Sequence, residues 1–577
     1  MAASSQTAQG RLDLPARVVL SLAALAAAWL VLVPLAMLLF SAFRGPADFL
    51  PFEDGARWVT DNVARLYLNP GFFQRLLPDT AISVLGTVAL TTMMAFTLAW
   101  AVERTDCPGR ELIGVCVLFP MLVPVNVLAV AWIYLMGPNA GWINLAIRGA
   151  LGLGGQGPVN VFSMAGLILC QSLALTPYMF LLLAPVLRTM NPSLEEASAA
   201  SGAAPGTTFR RITLPILMPG ILAPVILATI ITLEQFELPL MIGLPARLNI
   251  FSYRIYQELN PADGLPNYGG AAAVSLSFLG IAAILLWLYN RAIRRADRFV
   301  TMTGKAYAQR RFALGRWRLP MLTFVAGYIA LAAVLPAFVL IWTSFFGYIP
   351  PSAAALARFS AKAYQQLLAD PRLLPALKNT LIVAVASAGI VTVLGALLGW
   401  IVVRTRLWFR GAVDFLSFLS IGIPSVIVGL AIMVFYLTVP VGLYGTVWIL
   451  LVAYCYRLAT TTRTARAGLL QIHQELEEAS AASGAGWLTT QRRIVLPLLA
   501  PSLTAAFVLL FIVGLREFTI PLVLASDDNI VLSVLLWRLY QGGDPARTAA
   551  LASLIVLAVL PAIFLLRRRL VPNAMKG

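Results

Sequence analysis

The amino-acid sequence predicts an all-α polytopic membrane protein: two six-helix units related by pseudo-two-fold symmetry, with about 12 transmembrane helices. Three observations carry this. The 577-residue chain is 60% hydrophobic and only 12% charged, with a mean hydropathy of +0.84; a soluble domain carries about 25% charged residues. The apolar residues fall into runs of roughly 20, the length that crosses a bilayer as a helix. A long loop sequence in the first half recurs almost unchanged in the second.

In the first half the runs lie near 18–42, 80–102, 112–136, 161–187, 219–243 and 269–290. In the second they lie near 320–346, 379–403, 412–436, 446–462, 501–524 and 549–566. The polar start, Met1 to Arg17, precedes a run, Val18 to Phe40, that is too long for a signal-peptide core. It is expected to stay as the first span. Run 446–462 contains Arg457, a single charge near a helix end that reads as snorkelling to the interface.

The net charge of +17 would suggest nucleic-acid binding in a soluble protein. Here the Lys and Arg residues sit in short loops between apolar runs, so the positive-inside rule accounts for them and no nucleic acid is expected. The segment 290–318 and the tail RRRLVPNAMKG are densely basic. Both are expected on the cytoplasmic side of the inner (plasma) membrane, with both termini. The loops FRGPADFLPFEDGARWVTDN and LASDDN are mixed or acidic and read as periplasmic or extracellular, with Asp527 and Asp528 as solvated carboxylates. Cys107, Cys116, Cys170 and Cys455 form no CxxC pair and read as structural thiols. His473 is the lone histidine, so no metal site is expected.

The duplication is the strongest signal. LEEASAASGAAPGTTFRRITLPILMPG at 194–220 matches LEEASAASGAGWLTTQRRIVLPLLAPS at 476–502, a constant offset of 282 from Leu194 to Leu476. It continues as LEQFELPL at 233–240 against LREFTIPL at 515–522. Upstream, ERT at 103–105 pairs with VRT at 403–405, and Pro124 with Pro424, at an offset of 300. The halves, 1–300 and 301–577, are therefore parallel six-span units. In the repeated loop, Ser193 and Glu196 suit a capping box that starts a short helix. Glu195 and Glu196 fall in its first turn, where the helix dipole favours negative charge. Gly202 lets the chain turn sharply, and a bulky side chain there is expected to obstruct that turn. Arg210 and Arg211 mark the membrane border, and Pro215 and Pro219 punctuate entry to the next span.

This loop resembles that of the binding-protein-dependent ABC importer permeases, whose signature is an EAA triplet, a Gly four residues later, then I-x-L-P. It stands here as Glu196-Ala197-Ser198, Gly202, Ile212, Leu214 and Pro215, and again as Glu478-Ala479-Ser480, Gly484, Ile494, Leu496 and Pro497, with Ser in the third motif position of both copies. The resemblance implies that the loop is a coupling helix docking in an ATPase subunit, with Glu195, Glu196, Ala197, Gly202, Glu477, Glu478, Ala479 and Gly484 as coupling residues. It implies two copies of an ABC ATPase subunit and a periplasmic or extracellular substrate-binding protein as partners, besides membrane lipid. The fused pair resembles the iron(III) permease group, whose relatives carry thiamine, phosphonates or polyamines. The segments 234–257 and 516–541 look like the iron(III) members.

No phosphate-binding loop is present, because Gly304-Lys305 lacks both the upstream Gly and the following hydroxyl residue. No cofactor and no enzymatic site are therefore expected in this chain, with ATP and Mg bound through the partner ATPase. Glu234, Gln235 and Glu237 lie in the fifth run, and Arg516 and Glu517 at matching positions of the eleventh. At 1.5 Å per residue, Glu234 is roughly 22 Å from Pro219, toward the periplasmic side. The cluster reads either as a gate or substrate-contact ring or as an interhelical ion pair, Glu234 with Arg516, that fixes packing. The alternative of another class is a twelve-helix secondary transporter, which can also have two parallel halves. The duplicated loop between spans four and five argues against it, as does the lack of a strongly charged signature after spans two and eight. A structural membrane scaffold leaves the buried charges unexplained.

Overall fold

The computed structural model describes residues 14–46, 48–188, 190, 193–261, 264–296, 312–439 and 441–570, without the side chains of 205, 293–296 and 559–570. Most of the basic segment between the halves and the last seven residues therefore lie outside the described residues. Among those described, the only strands are the short pair Arg44–Gly45 and Arg57–Trp58. All other regular structure is helical.

The helices that matter here are α1 (Leu14–Ala42), α2 (Leu77–Arg104), α3 (Arg110–Val117), α4 (Val125–Met136), α5 (Met164–Arg188), α6 (Ser193–Ala200) and α7 (Leu214–Glu234). In the second half they are α8 (Leu335–Phe346), α9 (Leu373–Arg404), α10 (Arg410–Leu419), α11 (Ser425–Thr438), α12 (Val447–Tyr454), α13 (Leu458–Gln471), α14 (Glu475–Ala482), α15 (Leu496–Arg516), α16 (Thr519–Val523) and α17 (Pro545–Leu570).

Eight helices among the described residues are long and apolar enough to cross a membrane. A ninth candidate, Arg110–Leu122 with Val125–Met136, bends by 101°. Of the other predicted runs, 412–436 and 446–462 are divided into shorter helices, and 549–566 falls within α17. Proline supplies the reason at the repeated breaks. Pro124 and Pro424 both sit extended, with ψ 137° and 141°, immediately before α4 and α11. Each splits a run that the sequence reads as continuous, because proline has no N–H to donate and its ring crowds the preceding turn. Runs 219–243 and 501–524 likewise stop early. Gln235 and Glu517 turn extended, with ψ 127° and 128°. Pro239 and Pro521 lie four residues later and offer no N–H to the carbonyls of 235 and 517. Run 446–462 is also divided, into α12 and α13, with Arg457 non-helical at ψ 56° between them.

The chain forms two compact units. One comprises Met1–Val63, Glu258–Leu276 and Leu374–Leu532; the other comprises Ala64–Gln257, Ser277–Leu373 and Ser533–Gly577. Each unit draws on both halves of the sequence. The first helix of the first half, α1, packs on α11 and α10 of the second, and Trp29 meets Phe435 edge-on at 6.0 Å. In the other unit α8 of the second half packs on α4 of the first, and Trp132 Nε1 donates to the Leu331 carbonyl at 2.9 Å.

Within that second unit α2 and α5 run side by side in the same direction. Gln171 Oε1 accepts from Ser83 (2.9 Å) and Thr87 (3.0 Å), and Glu103 meets Arg188 at the far end of both helices. Gly86 permits the approach, since a Cβ there would lie 2.7 Å from Ile168 Cδ1. The corresponding contact in the other unit is between α9 and α13, where Gly395 and Gly399 face Thr461 and Ala465. Both paired helices end at the duplicated Arg, Arg104 and Arg404.

Candidate functional site

The two repeated loops each form a helix of eight residues, α6 and α14. α6 begins at Ser193, the residue chosen from the capping pattern; positions 191 and 192 before it lie outside the described residues. Both helices end in the same left-handed cap. Gly202 has φ +76° and Gly484 has φ +79°. The amide of Ala203 donates to the carbonyl of Ser198 at 3.1 Å, and that of Ala485 to Ser480 at 3.1 Å. This six-to-one hydrogen bond is the Schellman closure that favours glycine. A Cβ at either glycine would meet nothing within 4 Å. The expected obstruction is thus corrected: a side chain has room, and the cost of substitution comes from the backbone conformation.

The serine at the third motif position also gains an explanation. Ser198 Oγ lies 2.8 Å from Thr208 Oγ1, and Ser480 Oγ lies 2.9 Å from Thr490 Oγ1. Each bond ties the short helix to the turn that leads into the next span, where alanine would have no hydroxyl to offer. A π-helical turn follows at the same place in both copies, Phe209–Thr213 and Gln491–Val495.

The adjacent glutamates of each loop have different roles. Glu196 and Glu478 are exposed at the surface. Glu195 turns inward and is ion-paired to Arg104 at the end of α2, with the two side chains 4% and 1% exposed. Thr213 Oγ1 donates to its other oxygen at 2.7 Å. In the second copy Glu477 pairs with Arg404 at 2.8 Å, with exposures of 14% and 10%. Arg404 also donates to the carbonyls of Leu469 (3.1 Å) and Ile472 (2.6 Å), and Trp400 Nε1 approaches Glu477 at 3.4 Å. Each short helix is therefore bolted through a carboxylate, buried in Glu195 and part-buried in Glu477, to the end of a long apolar helix. Sequence reading passed over these arginines, although their repetition in ERT and VRT beside the repeated LEE was the available signal.

The residues of the second predicted site lie at two separate helix breaks. Glu234 ends α7, and Gln235 is the extended residue after it; both are half-buried. The Glu237 carboxylate accepts from the amide of Phe236 at 3.4 Å. Arg516 ends α15, and Glu517 follows as the extended residue. These groups flank breaks and do not lie inside uninterrupted spans. Glu517 is buried, ion-paired to Arg457, and accepts from the amide of Ile520 at 3.1 Å. Arg457 donates to Ser425 Oγ at 3.1 Å as well. Arg457 is thus a part-buried ion-pair partner, and the snorkelling reading is corrected: the break after α12 turns its side chain toward Ser425 of α11 and Glu517 at the break after α15.

Repeated long apolar helices, each pair clamped to a short polar helix, define a multi-pass membrane protein of the transport-permease class. The family model described as "Binding-protein-dependent transport system inner membrane component" matches the chain twice, over residues 92–298 and 391–571. The chain belongs to this family and carries its domain in duplicate. It is 25% identical over 524 residues to the ferric transport system permease protein FbpB of Actinobacillus pleuropneumoniae, covering 89% of this chain and 73% of that one. It is 26% identical over 492 residues to the Fe(3+)-transport system permease protein FbpB 2 of Haemophilus influenzae, covering 84% and 87%. A shorter relative, the inner membrane ABC transporter permease protein YdcU of Escherichia coli, is 29% identical over 289 residues, covering 47% and 87%. The chain is accordingly an importer permease subunit and not an enzyme.

Proposed function

We propose that this permease carries iron(III), handed over by an extracytoplasmic binding protein, and that two copies of an ABC ATPase subunit drive it by docking at α6 and α14. The observation behind the coupling role is the pair of Arg–Glu anchors, the first buried and the second part-buried. A push on α6 or α14 passes through Glu195–Arg104 or Glu477–Arg404 into α2 or α9. In this reading ATP and Mg bind in the ATPase subunits, both termini and both short helices face the cytoplasm, and one copy of this chain suffices. The exposed Glu196, Ala197, Glu478 and Ala479 meet the ATPase. Iron(III) is favoured over thiamine, phosphonate or polyamine by the named function of relatives that match most of the chain.

The breaks at 235 and 517 put Glu234, Gln235, Glu237, Arg516 and Glu517 where a helix changes course, so they are proposed to line or gate the pathway. Half-helix ends beside a break can offer both side chains and free backbone groups to a passing ion.

Reconstitution tests the whole reading. The chain, its ATPase and its binding protein in proteoliposomes should take up radioactive ferric ion in an ATP-dependent manner. Native mass measurement should show one 577-residue chain with two ATPase subunits. Glu195→Ala with Glu477→Ala should abolish uptake while the chain still inserts. ATP-independent uptake would return the secondary-transporter alternative, and uptake of another ligand class alone would move the substrate.

A further inference from the structure

Phe312, just ahead of the seventh apolar run, lies against the first coupling anchor. Phe312 forms a parallel bridge with Thr105. Its amide donates to the Arg104 carbonyl at 2.8 Å, and its carbonyl accepts from the Asp106 amide at 3.2 Å. Asp106 Oδ1 accepts from the Leu314 amide at 2.9 Å. The Phe312 ring stacks on Trp100 at 5.8 Å with a 14° interplanar angle. The Arg104 guanidinium lies 5.5 Å from the Phe312 ring centroid and 5.8 Å from that of Trp100. Arg104 Nε is buried without a hydrogen-bond partner among the described residues. Hydrogen bonds therefore fix the guanidinium at the Glu195 side, and aromatic faces hold the rest.

We infer that Phe312 is a positioning residue for coupling: it clamps Arg104 so that Glu195, and with it α6, moves as one body with α2. This rests on the reading of α6 as an ATPase-docking helix. Phe312, at the start of the second half, is then a working part of the first coupling site; among the described residues the second anchor has Trp487 beside Trp400 instead, edge-on at 5.5 Å. A guanidinium held beside ring faces keeps its charge while losing water, which makes its direction more rigid than an exposed pair would be. Losing one face frees Arg104 to tilt and slackens the link from α6 to α2, while the ion pair itself persists.

The experiment compares Phe312→Ala, Phe312→Trp and Glu195→Ala with wild type, in the full complex with ATPase and ferric-loaded binding protein in proteoliposomes. Ferric ion moved per ATP, retention of the ATPase on purification, melting temperature and hydrogen exchange of residues 195–203 and 477–485 are measured. Phe312→Ala should keep the ATPase bound and the melting temperature unchanged. Ion moved per ATP should fall about three- to thirty-fold, the range that one buried cation–π contact corresponds to. Exchange should rise in 195–203 alone, and Phe312→Trp should restore both. Wild-type transport per ATP and wild-type exchange in Phe312→Ala would overturn the inference. So would a loss that tracks a lowered melting temperature and is not rescued by Trp. Exchange at 195–203 reads the clamp even where no ferric ion moves. If Glu195→Ala transports normally, the coupling reading itself fails; if it is dead while Phe312→Ala is silent, only the present inference fails.

Discussion

The helices α6 and α14 are nearly the same eight residues, SLEEASAA and ELEEASAA, yet they are anchored differently. The first anchor is dry: Thr213 caps the Glu195 carboxylate, and the stacked rings of Phe312 and Trp100 lie beside Arg104. The second is more open, and Arg404 divides its donors between Glu477 and two backbone carbonyls. At the offset of 282 Thr213 becomes Val495 and Arg188 becomes Leu470, and at the upstream offset of 300 Glu103 becomes Val403. The loop surface stayed constant while the packing behind it diverged. In the proposed coupling role the surface has to fit a separate subunit, whereas the packing has only to hold the loop to its own helix.

The largest expected effect breaks the anchors themselves. Arg104→Met leaves a buried carboxylate with only Thr213 to satisfy it and should cost about 3–5 kcal/mol of stability. Arg404→Met should cost about 1–2 kcal/mol, because Glu477 is less buried and water can reach it. Detergent melting of the two variants side by side reads the difference; equal losses would erase the distinction between a dry and an open anchor.

Exchanging the capping residue sharpens it. Thr213→Val imports the second repeat's residue and removes a hydrogen bond to a charged group, for an expected loss of about 1.5–3 kcal/mol. Val495→Thr, the reverse exchange, should change the melting temperature little. A matching loss in both would show that the site tolerates neither shape.

At the glycines the comparison should vanish. Gly202→Ala and Gly484→Ala each place a Cβ in left-handed backbone with open space around it. Both should cost about 1–2 kcal/mol, equally, as measured by melting and by loss of transport. A large inequality would mean that the caps differ in what docks on them.

The smallest effect belongs to the outer pair of the first repeat. Arg188 meets Glu103 at 2.6 Å, but its side chain is 63% exposed. The double change Glu103→Val with Arg188→Leu copies the second repeat and should shift stability by less than about 1 kcal/mol. A loss comparable to that of Arg104→Met would make this pair part of the anchor.

Much of this protein was legible in the chain. Membrane class follows from composition, and a run of apolar residues declares a span by local hydropathy alone. The duplicated loop declared its short helix, its glycine cap and its family, because capping and turn chemistry act within a few residues. The prolines at 124, 239, 424 and 521 were equally visible. Hydropathy, however, counts apolar side chains and not backbone donors, so the runs were read straight through breaks that a missing N–H imposes.

The rest was decided by tertiary structure. Glu195 faces Arg104 across ninety-one residues of chain, Arg457 faces Glu517 across sixty, and Phe312 covers an arginine more than two hundred residues away. The exchange of first helices between halves has the same character. Each of these depends on which helix faces end up together, and a side chain carries no local mark of its distant partner. What marks the partner is burial: a charge in an apolar setting must find its opposite. The sequence by itself thus determined that the protein spans the membrane, repeats and presents two like helices. Only the folded chain decided what holds each of them, because that follows from desolvation and contact across the whole length of the molecule.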